Sequence, residues 1–345
     1  MKKGNKYGVH RVIEPEVALP QPAKKISNDM EIYDNEILID VKALNIDSAS
    51  FTQLMDEAGG NLEKVKTKIL AIVEEKGKMQ NPITGSGGML IGEVEKIGVL
   101  LKDKIDLEEG DKIATLVSLS LTPLKIDKIL DIKPEIERVE INGKAILFES
   151  GIYAKLPDDI PNNLALAVLD VAGAPAQTAK LVKEGNSVLV LGATGKSGLL
   201  CCYEAKKRAG SGGRIIGIGR NEARAEFLNN TGLCDEVIIA PVSNPLDVLN
   251  KTLVANSGAE VDISINCLSI PNTEMSSILP VKDGGIVYFF SMATSFTKAA
   301  LGAEGVGKDV TMIIGNGYSK GHAELALNIL RESKMLRRIF EKKYV

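Results

Sequence analysis

The segment with the clearest chemical use is Val188-Leu189-Val190-Leu191, which runs directly into Gly192-Ala193-Thr194-Gly195-Lys196-Ser197-Gly198. An apolar strand, closely spaced glycines and a following helix together suit a pyrophosphate. Gly192 makes the tight turn, Ala193 to Gly195 bring backbone N–H groups to the phosphates, and Gly198 lets the helix lie close to the strand. The spacing is G-x-x-G-x-x-G rather than G-x-G-x-x-G, and a βα turn without a ligand would carry a similar local signature. Lys196 and Ser197 are placed to touch phosphate. About 20 residues further on, an NAD-selective site carries Asp or Glu for the ribose 2′-hydroxyl. This chain has Gly219 and Arg220 there, and a guanidinium suits a 2′-phosphate. The cofactor is therefore read as NADP or NAD, with Glu222 keeping NAD open.

Such a loop needs a parallel sheet, and the second half of the chain supplies the pattern for one. Short apolar strands at 187–191, 214–218, 236–240, 261–266, 285–290 and 310–314 alternate with helical segments at 196–209, 222–230, 245–254 and 272–279. That alternation predicts a doubly wound α/β domain. The first half reads as β-rich, with strands at 36–44, 89–98 and 111–117 and a surface helix at 61–76, where Leu62, Val65, Ile69, Ile72 and Val73 recur at helical spacing. A small β-barrel is the natural sum. Pro157-Asp158-Asp159-Ile160-Pro161 marks the boundary, giving a substrate domain at 1–157, completed by 316–345, and a dinucleotide domain at 158–315.

Composition narrows the function classes. A formal net charge of −3 offers no basic field for nucleic acid. No apolar run approaches the roughly 18 residues of a membrane helix. The opening Met1-Lys2-Lys3-Gly4-Asn5-Lys6 does not lead into an apolar signal core. Cys201, Cys202, Cys234 and Cys267 lack Cys-x-x-Cys spacing and read as buried free thiols of a cytoplasmic protein. The chain has only two histidines, too few for a His-rich metal site.

The order of these features, with Ile39 to Asp47, Gly85-Ser86-Gly87-Gly88, Gly92-Glu93-Val94 and Glu109 to Ile113, resembles the medium-chain dehydrogenase/reductase superfamily. That resemblance implies a GroES-like β-barrel, a Rossmann domain and a homodimer. A narrower likeness rests on Tyr7-Gly8-Val9-His10-Arg11-Val12-Ile13-Glu14-Pro15, Leu19-Pro20-Gln21-Pro22-Ala23 and the segment Asp170 to Thr178. These are similar to the L-erythro-3,5-diaminohexanoate dehydrogenase family of anaerobic lysine fermentation. The likeness implies oxidative deamination of a small diamino acid with reduction of NAD or NADP. The catalytic zinc positions of the superfamily fall on Asp47, Ser86 and about Val171, which cannot complete a zinc site, so a zinc-free enzyme is expected.

Amine oxidation needs a base, because an ammonium has no lone pair to expel hydride; a free amine titrates near 10. Asp47 is the first candidate, although Asp47-Ser48 also reads as a turn or helix cap. Asp170, in the apolar run 164–174, and Glu93, close to the site turn, are the other catalytic candidates. Ser86 is expected to contact substrate. His10 and Arg11 are expected at the substrate carboxylate, and Tyr318, with His322, is expected to reach the cleft. Two other functions fit the same residues: a zinc-free NADPH-dependent quinone or alkenal reductase, and a protein that holds the dinucleotide without turnover.

Overall fold

The structure, a computed structural model, describes residues 2–291, 293–315 and 317–344. The chain divides into two compact units, Met1–Asn162 and Asn163–Val345.

The first unit is built on an antiparallel sheet. Its elements are β1 (Val12–Glu14), β2 (Lys25–Ile26), β3 (Glu36–Asn45), α1 (Ser48–Glu57), α2 (Leu62–Lys76), β4 (Met89–Ile97), β5 (Lys112–Thr115), β6 (Leu124–Lys133), β7 (Arg138–Phe148) and β8 (Tyr153–Lys155). Six of the strands pair in the order β6-β7-β3-β4-β5-β8. β3 lies inside the sheet, and Ile37, Ile39, Val41 and Leu44 are buried in its core. α2 is bounded as its sequence dictates. The Asn61 side chain accepts from Lys64 N–H at the start, and Gly77 closes the end at φ 72°. Its apolar face, Val65, Ile69, Ile72 and Val73, joins the same core.

A buried ion pair fixes the N-terminal arm to β3. Arg11 is 3 % exposed and Glu36 1 %. Arg11 Nε donates to Glu36 Oε1 at 2.7 Å and Nη2 to Oε2 at 2.6 Å. Two further guanidinium N–H groups donate to carbonyls, Nη1 to that of Asp29 (2.6 Å) and Nη2 to that of Glu31 (2.8 Å). His10 Nδ1 accepts from Asn5 N–H, which leaves Nε2 to donate to Glu36 Oε1 at 2.9 Å. Burial alone would push Glu36 up; the hydrogen bonds from Arg11, His10 and Tyr33 N–H outweigh it and hold the carboxyl down at about 2.

The second unit carries α3 (Asn162–Leu169), α4 (Gly173–Leu181), β9 (Ser187–Leu191), α5 (Lys196–Ala209), β10 (Arg214–Gly219), α6 (Glu222–Thr231), β11 (Glu236–Ile239), α7 (Pro245–Ala255), β12 (Val261–Asn266), α8 (Glu274–Ile278), β13 (Val281–Phe289), α9 (Phe296–Val306), β14 (Thr311–Ile314), α10 (His322–Glu332) and α11 (Lys334–Tyr344). The strands are all parallel in the order β11-β10-β9-β12-β13-β14. The order reverses between β9 and β12, and ligands of such sheets bind beyond the carboxyl ends of the strands at that point. Val188 to Leu191 are fully buried, as expected of a strand covered on both faces.

The expected α/β architecture, an antiparallel sheet followed by a parallel doubly wound one, is what the chain forms. Two helices of the segment expected to complete the first domain, α10 and α11, lie elsewhere. α10 buries Ala326, Leu327, Ile329 and Leu330 and packs on α4 and α5, so it belongs to the parallel-sheet unit rather than to the barrel.

Candidate active site

The glycine loop has the geometry its residues require. Gly192 sits at φ 79°, where a side chain is strained. A Cβ on Gly198 would stand 2.1 Å from Gly192 O and 2.7 Å from Ala193 Cα, so only glycine lets α5 start this close to β9. Gly195 precedes α5 with no side-chain cap, which leaves the first N–H groups of the helix for a ligand. The cradle therefore fits a dinucleotide pyrophosphate. Arg220 follows β10, is exposed, and makes no ion pair among the described residues. Asn221, not Arg220, caps α6, through its side chain accepting from Arg224 N–H at 3.0 Å.

Beside the cradle, Lys196 Nζ meets Asp170 Oδ2 at 2.8 Å. The partner that the Asp170 charge requires is thus Lys196. Asp170 is about half exposed, the side chain at 48 %, so it is not buried in the apolar run that precedes it. A Cβ on Gly173 would stand 2.4 Å from Gly317, which puts the segment after β14 against the start of α4. Tyr318 lies in that segment with its ring edge-on to His322, the centroids 5.1 Å apart. His322 and Ser319 are buried, and His322 Nε2 and Ser319 Oγ have no hydrogen-bond partner among the described residues. Burial pushes the His322 imidazole below its ordinary value. No sequence signal drew attention to Ser319.

In the first unit the residues after β3 meet the 81–88 turn. Asp47 caps α1, its Oδ1 accepting from Ser50 N–H at 3.0 Å. Its other oxygen, Oδ2, is buried and has no partner among the described residues. Capping thus explains half of the carboxylate and leaves the other half exposed to a desolvation cost of about 1–3 kcal/mol, more for a charge. Gly88 sits at φ 94°, and a Cβ there would stand 2.0 Å from Asn45 O and 2.8 Å from Asp47 N. That close approach brings the Ser86 turn against the backbone of Asp47. Asn81, fully buried, shapes the turn. Its Oδ1 accepts from Ile83 and Thr84 N–H at 2.8 and 3.1 Å, and its Nδ2 donates to Gln53 Oε1 at 2.7 Å. Ser50 Oγ and Thr84 Oγ1 complete the link at 2.5 Å. Asn81, Ser50 and Thr84 were not singled out from sequence. The Asn81-Pro82 dipeptide, a turn starter, was the available signal.

Three candidates are corrected. Arg11 and His10 were expected to bind the substrate carboxylate. The Arg11 guanidinium is directed into the unit at Glu36 and two carbonyls, and both His10 ring nitrogens are engaged at Asn5 and Glu36. They hold the arm in place instead. Glu93 pairs across strands with Asp40 and Lys112. Cross-strand partners share a face, and that face carries the Asp40–Lys42 ion pair. Glu93 is also four residues along β4 from Met89, the partner of Asn45, or about 13 Å. It belongs to a charged outer surface.

Residues 10–157 match the L-erythro-3,5-diaminohexanoate dehydrogenase N-terminal domain family. Over 99 % of this chain and 100 % of the relative, it is 70 % identical to the L-erythro-3,5-diaminohexanoate dehydrogenase of Acetoanaerobium sticklandii. The chain belongs to the L-erythro-3,5-diaminohexanoate dehydrogenase family. The dehydrogenase of that name from Fusobacterium nucleatum subsp. nucleatum is 67 % identical over the full length of both chains. Among solved structures, the Escherichia coli quinone oxidoreductase complexed with NADPH superposes with a TM-score of 0.53 at 17 % identity, covering 87 % of this chain and 79 % of that one. That likeness shows a shared fold.

The family's matched domain contains Asp47 and Ser86. A zinc ion held at the three positions named from the sequence does not fit the residues found here. Asp47 offers one carboxylate, Ser86 a hydroxyl and Val171 no donor. Among the described residues, no group of three or more His, Cys, Asp or Glu is placed to hold a metal ion. Metal analysis of this family member is expected to find no stoichiometric zinc, with turnover unchanged in chelator. One tightly bound zinc per chain, whose removal stops turnover, contradicts this.

Proposed function

We propose that the chain catalyses the NAD(P)-dependent oxidative deamination of L-erythro-3,5-diaminohexanoate to (S)-5-amino-3-oxohexanoate and ammonia in anaerobic lysine degradation. The observation that carries the reading is the full-length identity, 70 % and 67 %, to two dehydrogenases named for that substrate. The quinone reductase alternative rests only on a shared fold at 17 % identity.

Held in the Gly192–Gly198 cradle, NAD or NADP supplies the hydride acceptor. Asp47 Oδ2 takes the proton from the C3 ammonium, which frees the nitrogen lone pair as the C–H bond breaks. Its lack of any other partner supports this role. Water then adds to the carbon–nitrogen double bond of the substrate, and ammonia leaves. Ser86, on the turn against Asp47, contacts the substrate in this reading. Asp170 positions Lys196 at the cradle through their 2.8 Å contact. A cytoplasmic homodimer is part of the same proposal, its four free thiols supporting a reducing compartment.

The test is direct. Purified protein, the diamino acid and NAD or NADP should yield reduced dinucleotide. Turnover of NADPH with a quinone, and none with the diamino acid, would favour the alternative. Arg220→Ala should weaken NADP more than NAD, by about 1–3 kcal/mol if a charged hydrogen bond is lost. Equal losses for both dinucleotides would mean that Arg220 does not read the 2′-phosphate.

A further inference from the structure

All four cysteines meet in two cross-element contacts. Cys201 Sγ on α5 stands 3.8 Å from Cys267 Sγ, immediately after β12. Cys202 Sγ stands 3.7 Å from Cys234 Sγ, in the turn between α6 and β11. Adjacent helical residues project about 100° apart, so α5 directs its two thiols to two different neighbours. All four are free. Cys201 and Cys202 are fully buried, whereas Cys234 and Cys267 are partly exposed.

The first pair adjoins the Gly192 turn of the cradle. A Cβ on Gly192 would stand 3.1 Å from Cys267 C and O and 3.3 Å from Leu268 Cδ2. Cys267 N–H donates to Leu191 O at 2.9 Å. Cys267 and Leu268 thus form the wall of the loop at the point where the sheet order reverses.

We propose that Cys201 and Cys267 are an oxidation site, where a hydroperoxide closes a disulfide that reshapes the cradle and weakens dinucleotide binding. Burial pushes the Cys201 thiol up, so it stays protonated, and the accessible Cys267 reacts first. The Cys267 sulfur attacks the peroxide, the O–O bond breaks, and a sulfenic acid and water form. Cys201 then attacks that sulfur, its proton leaves with the hydroxyl as a second water, and the S–S bond closes. Two thiols lose two electrons to one peroxide. Closure draws the sulfurs from 3.8 Å to about 2.05 Å. Cys201 is held inside α5, so the Cys267–Leu268 backbone moves, and that backbone borders the Gly192 turn, 3.1 Å from where a Cβ on Gly192 would stand.

The effect on binding rests on the dinucleotide reading of the cradle; the cross-link does not. The full chain is treated with hydrogen peroxide, alkylated without reduction and mapped by peptide mass, and the dinucleotide dissociation constant is measured before and after. A Cys201–Cys267 cross-link should appear. The constant should rise about tenfold, the size of losing one hydrogen bond or its equivalent in packing, and dithiothreitol should restore it. Cys267→Ser and, separately, Cys201→Ala should abolish both the cross-link and the peroxide-dependent ratio of constants. Cys202→Ser should leave that ratio intact. Sulfinic acid at Cys267 without a cross-link would overturn the proposal, as would a cross-link with an unchanged constant. If the reduced protein binds no dinucleotide, the functional reading fails while the mass map still decides the cross-link.

Discussion

Asp47→Asn should lower kcat on the diamino acid by about 10²- to 10⁴-fold, the usual cost of losing a general base. The dinucleotide dissociation constant and the fold should stay close to wild type. Asn can still accept from Ser50 N–H through its side-chain oxygen, so the α1 cap survives. What it cannot do is accept the substrate proton or hold an ammonium by charge. The second oxygen of Asp47 is buried without a partner, an arrangement that capping alone does not call for. A purely capping residue would behave differently, with a stability loss of about 1 kcal/mol or less and near-normal turnover. A variant within about threefold of wild type in kcat, well short of a general base's usual contribution, would move the proton transfer elsewhere.

Glu36→Gln should cost about 3–5 kcal/mol of folding stability, because it leaves the buried Arg11 guanidinium without its counter-charge. The same carboxylate gives the wild type an acid limb. Its folded value, about 2, lies below its unfolded 4.5, so its stabilisation is complete above pH 4.5 and is lost as pH falls toward 2. The amount at stake is about 3 kcal/mol. Urea midpoints across that range should fall steeply for wild type and more gently for Glu36→Gln. Parallel curves would show that Glu36 is not the group responsible. His10 and Arg11 act here, in fastening the arm to β3, and their variants should lose stability before substrate affinity.

The parallel-sheet unit was legible because its signals are local. Strands such as Val188–Leu191 and Ile215–Ile218 are covered on both faces and read as short apolar runs between turn residues. The β6–β7 hairpin was not read. β6 lies at the sheet edge, and its register shifts between Ile126 and Lys128 and between Ile129 and Asp131, which breaks the two-residue alternation. The apolar stripes of α10 and α11, Ala326, Leu327, Ile329 and Leu330, then Leu336 and Phe340, have meaning only against the unit they pack on, so the sequence alone does not place them. The glycine loop needed no distant partner and was found. Arg11–Glu36 and Asp170–Lys196 join residues 25 and 26 positions apart, and no spacing rule links them. For the same reason Arg11 looked like a free cation waiting for a carboxylate. The unsatisfied oxygen of Asp47 is likewise a property of packing, although the position itself could be picked out by resemblance.

The most direct test of the account follows the hydrogen itself. L-erythro-3,5-diaminohexanoate carrying deuterium at C3 is given to the enzyme with NAD or NADP, and both the reduced dinucleotide and ammonia are analysed. One deuterium is expected in each reduced dinucleotide, with one ammonia released for each hydride transferred. Reduced dinucleotide without deuterium, or reduction with no matching ammonia, would contradict it.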